Sequence, residues 1–148
     1  MLIMSRSMDY PELLGVLKGK RVAIWTCNTC ARLCNNIGGT ESCERLAERL
    51  SKDGIEVTKV VSTSAACLED KVIGKKDEVL SGDPDVVLSM TCSAGADNAS
   101  RIYGIDVINP IITFGYGILR EDGTPVLMRD GRMTPVGELS QRSDPFVL

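Results

Sequence analysis

The sequence contains no histidine. That absence removes mixed cysteine–histidine zinc sites. It also removes serine or cysteine nucleophiles that depend on an imidazole base. Metal chemistry here falls to thiolates and carboxylates. Aromatic residues are scarce, at 4%, so Tyr103, Phe114 and Tyr116 are expected in the core. No block of lysine and arginine stands out and the net charge is -3, which argues against a nucleic-acid interface. No apolar run is long enough to span a bilayer. The opening stretch, MLIMSRSMDYPELLGVLKGK, lacks an apolar segment of signal-peptide length and carries Asp9 and Glu12 early. It reads as the start of a cytoplasmic protein. Neither GxGxxG, GxxxxGK[ST] nor GxSxG occurs, so no nucleotide loop or nucleophile elbow is marked.

What is present fits one soluble domain. The chain has 148 residues, 43% hydrophobic and 25% charged, enough to bury a proper core. β-rich runs at 21–26, 55–62, 85–90 and 105–113 alternate with helical stretches. In GTESCERLAERLSKDG, Cys43, Leu46, Ala47 and Leu50 fall at i, i+3, i+4 and i+7. This predicts a helix with one buried face, N-capped by Thr40 and stopped by Gly54. A weaker helix is expected over 70–80 and another through AGADNASRIYG. The alternation predicts an α/β, Rossmann-like three-layer domain with a mainly parallel sheet. GILREDGTPVLMRDGRM reads as a C-terminal β-hairpin with turns at Gly123 and Gly131. The domain is expected to span 1–134, with an extended tail over 135–148.

Six cysteines remain to be placed. Cys43 lies on the apolar stripe of its helix and reads as a buried hydrophobe. Cys27, Cys30 and Cys34 stand at C-x2-C-x3-C spacing directly after the first β-run. Cys67 and Cys92 follow the second and third. In a parallel sheet those loops share one edge, the ligand-binding edge of such folds. Four readings compete for these five thiols. They are inert buried cysteines, a structural zinc held by four thiolates, a [4Fe-4S] cluster, or a redox dithiol at Cys27/Cys30. The loop is too polar for simple packing, and the usual pair of C-x2-C zinc knuckles is absent, which favours the cluster. Gly38 and Gly39 would let backbone N–H groups approach anionic sulfur. The fourth ligand is Cys92 or Cys67, and a set using both with two from the first loop stays open. TCSAGADN could separately be an anion-binding helix start.

VLKGKRVAIWTCNTCARLCNNIGG, then Cys67, then VVLSMTCSAGADN and INPIITFGYG together resemble the small iron–sulfur subunit of methylenetetrahydrofolate reductases, the MetV type. Cys27, Cys30, Cys34, Gly38 and Gly39 match the family's GCGTCxxxCxxGG-like loop. Cys92 and Gly95 match its ACGAG-like loop, with Ser93 where the family has glycine. NPIITFGYG is similar to the family's PxxNTxFLG segment. The resemblance covers roughly residues 14–120. It implies an iron–sulfur electron-transfer subunit that docks, as a hetero-oligomer, on a flavin-containing reductase subunit or other redox protein. The family's further cysteine-rich C-terminal segment has no counterpart after Cys92, so a single centre is implied. The alternative expectation is a zinc-stabilised structural or assembly subunit of a larger complex.

Overall fold

The computed structural model describes residues 2–6 and 8–138. The chain begins with β1 (Leu2–Arg6), α1 (Tyr10–Leu17), β2 (Arg21–Cys27), the short α2 (Cys30–Leu33) and α3 (Thr40–Lys52). It continues through β3 (Glu56–Thr63), α4 (Glu69–Gly74), α5 (Lys76–Leu80), β4 (Val86–Met90) and α6 (Ser93–Tyr103). Then come β5 (Asp106–Ile108), β6 (Ile111–Leu119), β7 (Pro125–Arg129), β8 (Arg132–Pro135) and a 3-10 turn, Val136–Glu138.

The most continuous apolar runs form the centre of a parallel sheet in the order β3-β2-β4-β5. β2 is buried from Val22 onward and β4 throughout, as strands covered on both faces must be. Trp25 and Thr26, adjacent in β2, point to opposite faces. Trp25 meets Tyr103 of α6 edge-on, with ring centroids 5.7 Å apart at 86°. Tyr103 donates its hydroxyl to the Val72 carbonyl in α4 at 2.9 Å. On the other face Thr26 meets Cys43 of α3. Helices therefore cover both faces. Because β3 and β4 flank β2 on opposite sides, the chain changes winding direction there. The carboxyl ends of β2 and β4 lie side by side at that reversal. Among the described residues, no helix is long and apolar enough to cross a membrane.

Several expectations are corrected. The predicted strand over 105–113 is two strands in different sheets. β5 runs parallel to β4, and the chain then bends at Asn109–Pro110 into β6. The C-terminal hairpin is part of a four-stranded antiparallel sheet, β1-β6-β7-β8. Its β7–β8 turn places Asp130 and Gly131 at φ 51° and 71°, the left-handed pair that suits a tight hairpin. β1 has no counterpart among the predicted elements; it pairs with β6 and buries Ile3 and Met4 completely. The helix expected over 70–80 is broken at Lys75 into α4 and α5. Tyr103 is buried and Phe114 packs against the core, but Tyr116 is 70% exposed. Beyond the expected boundary at 134, Val136 is still buried. The rest of the expected tail, 139–148, lies outside the described residues.

Candidate metal centre

The site grows from the end of β2. Cys27 closes the strand, Cys30 opens α2 and Cys34 follows it. The loop then folds back through Asn35 and Asn36, at φ 55° and 54°, a left-handed conformation that asparagine tolerates. This return carries Gly38 beneath α2, where its N–H donates to the Ala31 carbonyl at 2.9 Å. A Cβ on Gly38 would lie 2.6 Å from the Met90 carbonyl oxygen and 2.7 Å from Ala31 Cβ. Close packing of the loop on the end of β4 thus requires glycine. The Gly39 N–H donates to Thr26 Oγ1 at 2.8 Å. Gly38 and Gly39 therefore do not aim their amides at sulfur, as the sequence suggested; they let the loop pass close to the sheet.

The N-terminus of α3 is also built differently from expectation. Thr40 is its first residue, not its cap. The Asn28 side chain, from the cysteine loop, accepts the Thr40 N–H at 2.9 Å and donates to the Thr40 hydroxyl at 3.0 Å. The loop and the helix that follows it are thereby locked together.

The thiols have distinct settings. Cys27 is 7% exposed and accepts the Thr29 N–H at 3.5 Å. Cys30 is half-buried and accepts the Leu2 N–H at 3.4 Å. Cys34 is fully buried; it accepts the Met4 N–H at 3.3 Å and donates to the Met4 carbonyl at 3.3 Å. Cys92 is 7% exposed and immediately precedes α6. Burial pushes the Cys34 thiol above its ordinary range, the Met4 amide opposes this, and nearby Cys30 adds to the rise. Burial likewise raises Cys92, the amides of Gly95 and Ala94 oppose it, and Cys30 and Cys27 raise it further. These charge effects on Cys34 and Cys92 place Cys27, Cys30, Cys34 and Cys92 in one neighbourhood with Cys30 as the shared member. Gly95 serves Cys92 through its amide. A Cβ there would also lie 2.8 Å from Thr91 Oγ1 and 2.9 Å from Ala66 Cβ.

Cys67 is exposed in the loop after β3. Its neighbour Ala66 touches α6, accepting a hydrogen bond from Asn98 at 3.2 Å, so the loop reaches the same sheet edge. Cys43 is fully buried, as its helical stripe implied. Burial pushes its thiol from 9.0 up to about 12. A folded-state value above the unfolded one adds stability below pH 9, and that stability is lost as pH climbs toward 12. The metal-free protein is therefore expected to unfold at lower urea at pH 11 than at pH 8. Cys43→Ala should flatten that dependence; an equally steep loss in the variant would assign it to other groups.

Chemically, burial and neighbouring sulfur both disfavour the anionic forms of Cys34 and Cys92, and a bound cation relieves that penalty. The donors are soft sulfur, and the backbone amides of Leu2, Met4, Thr29, Ala94 and Gly95 face them. This set fits thiophilic metal. Among the described residues, no three Cys, Asp or Glu side chains already surround a single point at ligand distance. A separate polar cavity of about 390 Å³ lies beside the loop, walled by Asn28, Arg32, Asn36, Thr40 and Glu41. No cysteine lines it, so it is distinct from the thiol cluster. The chain matches no protein-family model, no curated protein and no solved structure. The functional reading therefore rests on the residues themselves. The contribution of β1 escapes sequence reasoning. The only hint is the apolar LIM run at positions 2–4.

Proposed function

We propose that this chain is a cytoplasmic iron–sulfur electron-transfer subunit with a Rossmann-like core, relaying single electrons to a flavoprotein of the methylenetetrahydrofolate reductase type. One observation carries the reading. Loops from adjacent central strands bring Cys27, Cys30, Cys34 and Cys92 into one electrostatic neighbourhood at the carboxyl ends of β2 and β4. These four would hold a [4Fe-4S] cluster, with Cys67 spare. When bound, the cluster would supply one-electron transfer. The chain's own part is to exclude water around the sulfurs and to aim N–H donors at them, which tunes potential. The MetV-type resemblance supports the same reading. Free thiols at all six cysteines suit a reducing compartment. Ile112, Tyr116, Ile118 and Met133 are exposed on β6 and β8, and apolar exposure of that kind supports a protein partner.

A zinc-stabilised structural subunit is the second reading, favoured by the deep burial of three of the four sulfurs, at 0–7% exposure. Closed sites of this kind are typical of structural zinc. The deciding measurement is metal and acid-labile sulfide content, with a visible spectrum, on protein purified without oxygen. Iron and sulfide in near-equal amounts, with broad absorbance bleached by dithionite, is the expected result. Zinc without sulfide would transfer the chain to the structural class, and absence of both metals would end both readings.

A further inference from the structure

We infer that the N-terminal strand is part of the thiol centre: the outward N–H groups of Leu2 and Met4 hold the sulfurs of Cys30 and Cys34 and stabilise whatever thiophilic cation those sulfurs take. The inference rests on the metal reading but not on the identity of the metal.

β1 is an edge strand, paired with β6 on one side only. Its other edge would ordinarily present bare amides to solvent or to another chain. Alternate residues of a strand send their N–H groups to the same side. Leu2 and Met4 alternate, and both amides end on sulfur, at 3.4 Å and 3.3 Å. The cysteine loop thus occupies the free edge with thiols in place of backbone carbonyls. The amides are held in position from behind, because Ile3 and Met4 are fully buried. Opposite Ile3 and Met4 the partner strand β6 carries one extra residue, Phe114, and a bulge of this kind adds local twist to the pair.

The chemistry favours the charged sulfur. A thiolate accepts an N–H more strongly than a thiol does. Cation binding removes the thiol protons, so it strengthens both contacts with β1. It also ends the donation from Cys34 to the Met4 carbonyl. Linkage makes the effect reciprocal: whatever strengthens β1 against the sulfurs strengthens cation binding by the same factor. Leu2 pairs directly with Tyr116, so the strand also joins the centre to the exposed side of the second sheet.

The test is Leu2→Pro beside Leu2→Ala. Proline deletes the amide aimed at Cys30 and is tolerated on edge strands. That amide takes no part in the ladder with β6, so the ladder keeps its bonds. Alanine keeps the amide and removes the side chain. Two readouts are taken without oxygen: Zn2+ affinity by competition with a chelator, and iron and sulfide retained after reconstitution. Leu2→Pro is expected to weaken Zn2+ binding roughly tenfold while Leu2→Ala stays near wild type. Equal behaviour of the two variants would overturn the inference. As a measurement that needs no variant, amide hydrogen exchange at Leu2 and Met4 should slow when Zn2+ is added, and unchanged exchange would overturn it too. If the wild type takes Zn2+ but never iron and sulfide, while Leu2→Pro still weakens Zn2+, the inference stands and the iron–sulfur function falls. If it takes neither cation, both fall.

Discussion

Cys30→Ser is expected to empty the centre. Cys30 is the thiol that both Cys34 and Cys92 sense, and it accepts the Leu2 amide. Serine is nearly isosteric, but its hydroxyl does not ionise near neutral pH and is a poor ligand for soft metals. Loss of a partner outside the ligand shell already costs metal sites about 10–100-fold in affinity. Loss of a ligand should exceed that, leaving little iron or zinc per chain and no visible band. Cys30 is only half-buried, so the metal-free variant should keep its fold by circular dichroism. Cys67→Ser, made in parallel, is expected to retain full metal because that thiol is exposed on a different loop. Full metal in Cys30→Ser, or loss in Cys67→Ser, would redraw the ligand set around the loop after β3.

Much of this site is legible in the sequence. β2, β3 and β4 announce themselves as apolar runs, and α3 by its spacing of Cys43, Leu46 and Leu50. The order of those elements is enough to place Cys27 and Cys92 at one sheet edge. What escapes depends on contacts that leave no local pattern. β1 pairs with a strand more than a hundred residues away, Leu2 with Tyr116, and five residues carry too little periodicity to reveal it. The strand predicted over 105–113 fails because one apolar run serves two sheets, with Asn109 and Pro110 as the only marks of the division. Glycine is ambiguous by nature: the sequence cannot separate a residue that exposes its amide from one that leaves room. For Gly38 and Gly39 the sequence suggests the first role, whereas their amides go to Ala31 and Thr26. Tyr116 departs from expectation because aromatic scarcity predicts burial only on average.

That second role of glycine gives the next large effect. Gly38 is buried and is not among the glycines with positive φ, so backbone freedom is not what it provides. Space is. A Cβ there would lie 2.6 Å from a carbonyl oxygen of β4, 2.7 Å from Ala31 Cβ and 2.9 Å from Thr26 Oγ1. The nearest of these is backbone in a fully buried central strand, which cannot swing aside as a flexible side chain would. Gly38→Ala should therefore lift α2 from the sheet. Overpacking of this kind costs about 1–3 kcal/mol, read as a lower urea midpoint. Because α2 carries Cys30 and leads into Cys34, the same variant should also bind Zn2+ more weakly than wild type. Gly15→Ala is the matched control. It lies within α1 with nothing close to the added methyl, and should stabilise by about 0.5–1 kcal/mol through helix propensity alone. The two alanines are thus expected to act with opposite sign, and only the first to touch metal affinity. Wild-type stability and metal binding in Gly38→Ala would mean the loop does not lie against β4 as described, and the gathering of thiols at that edge would lose its support.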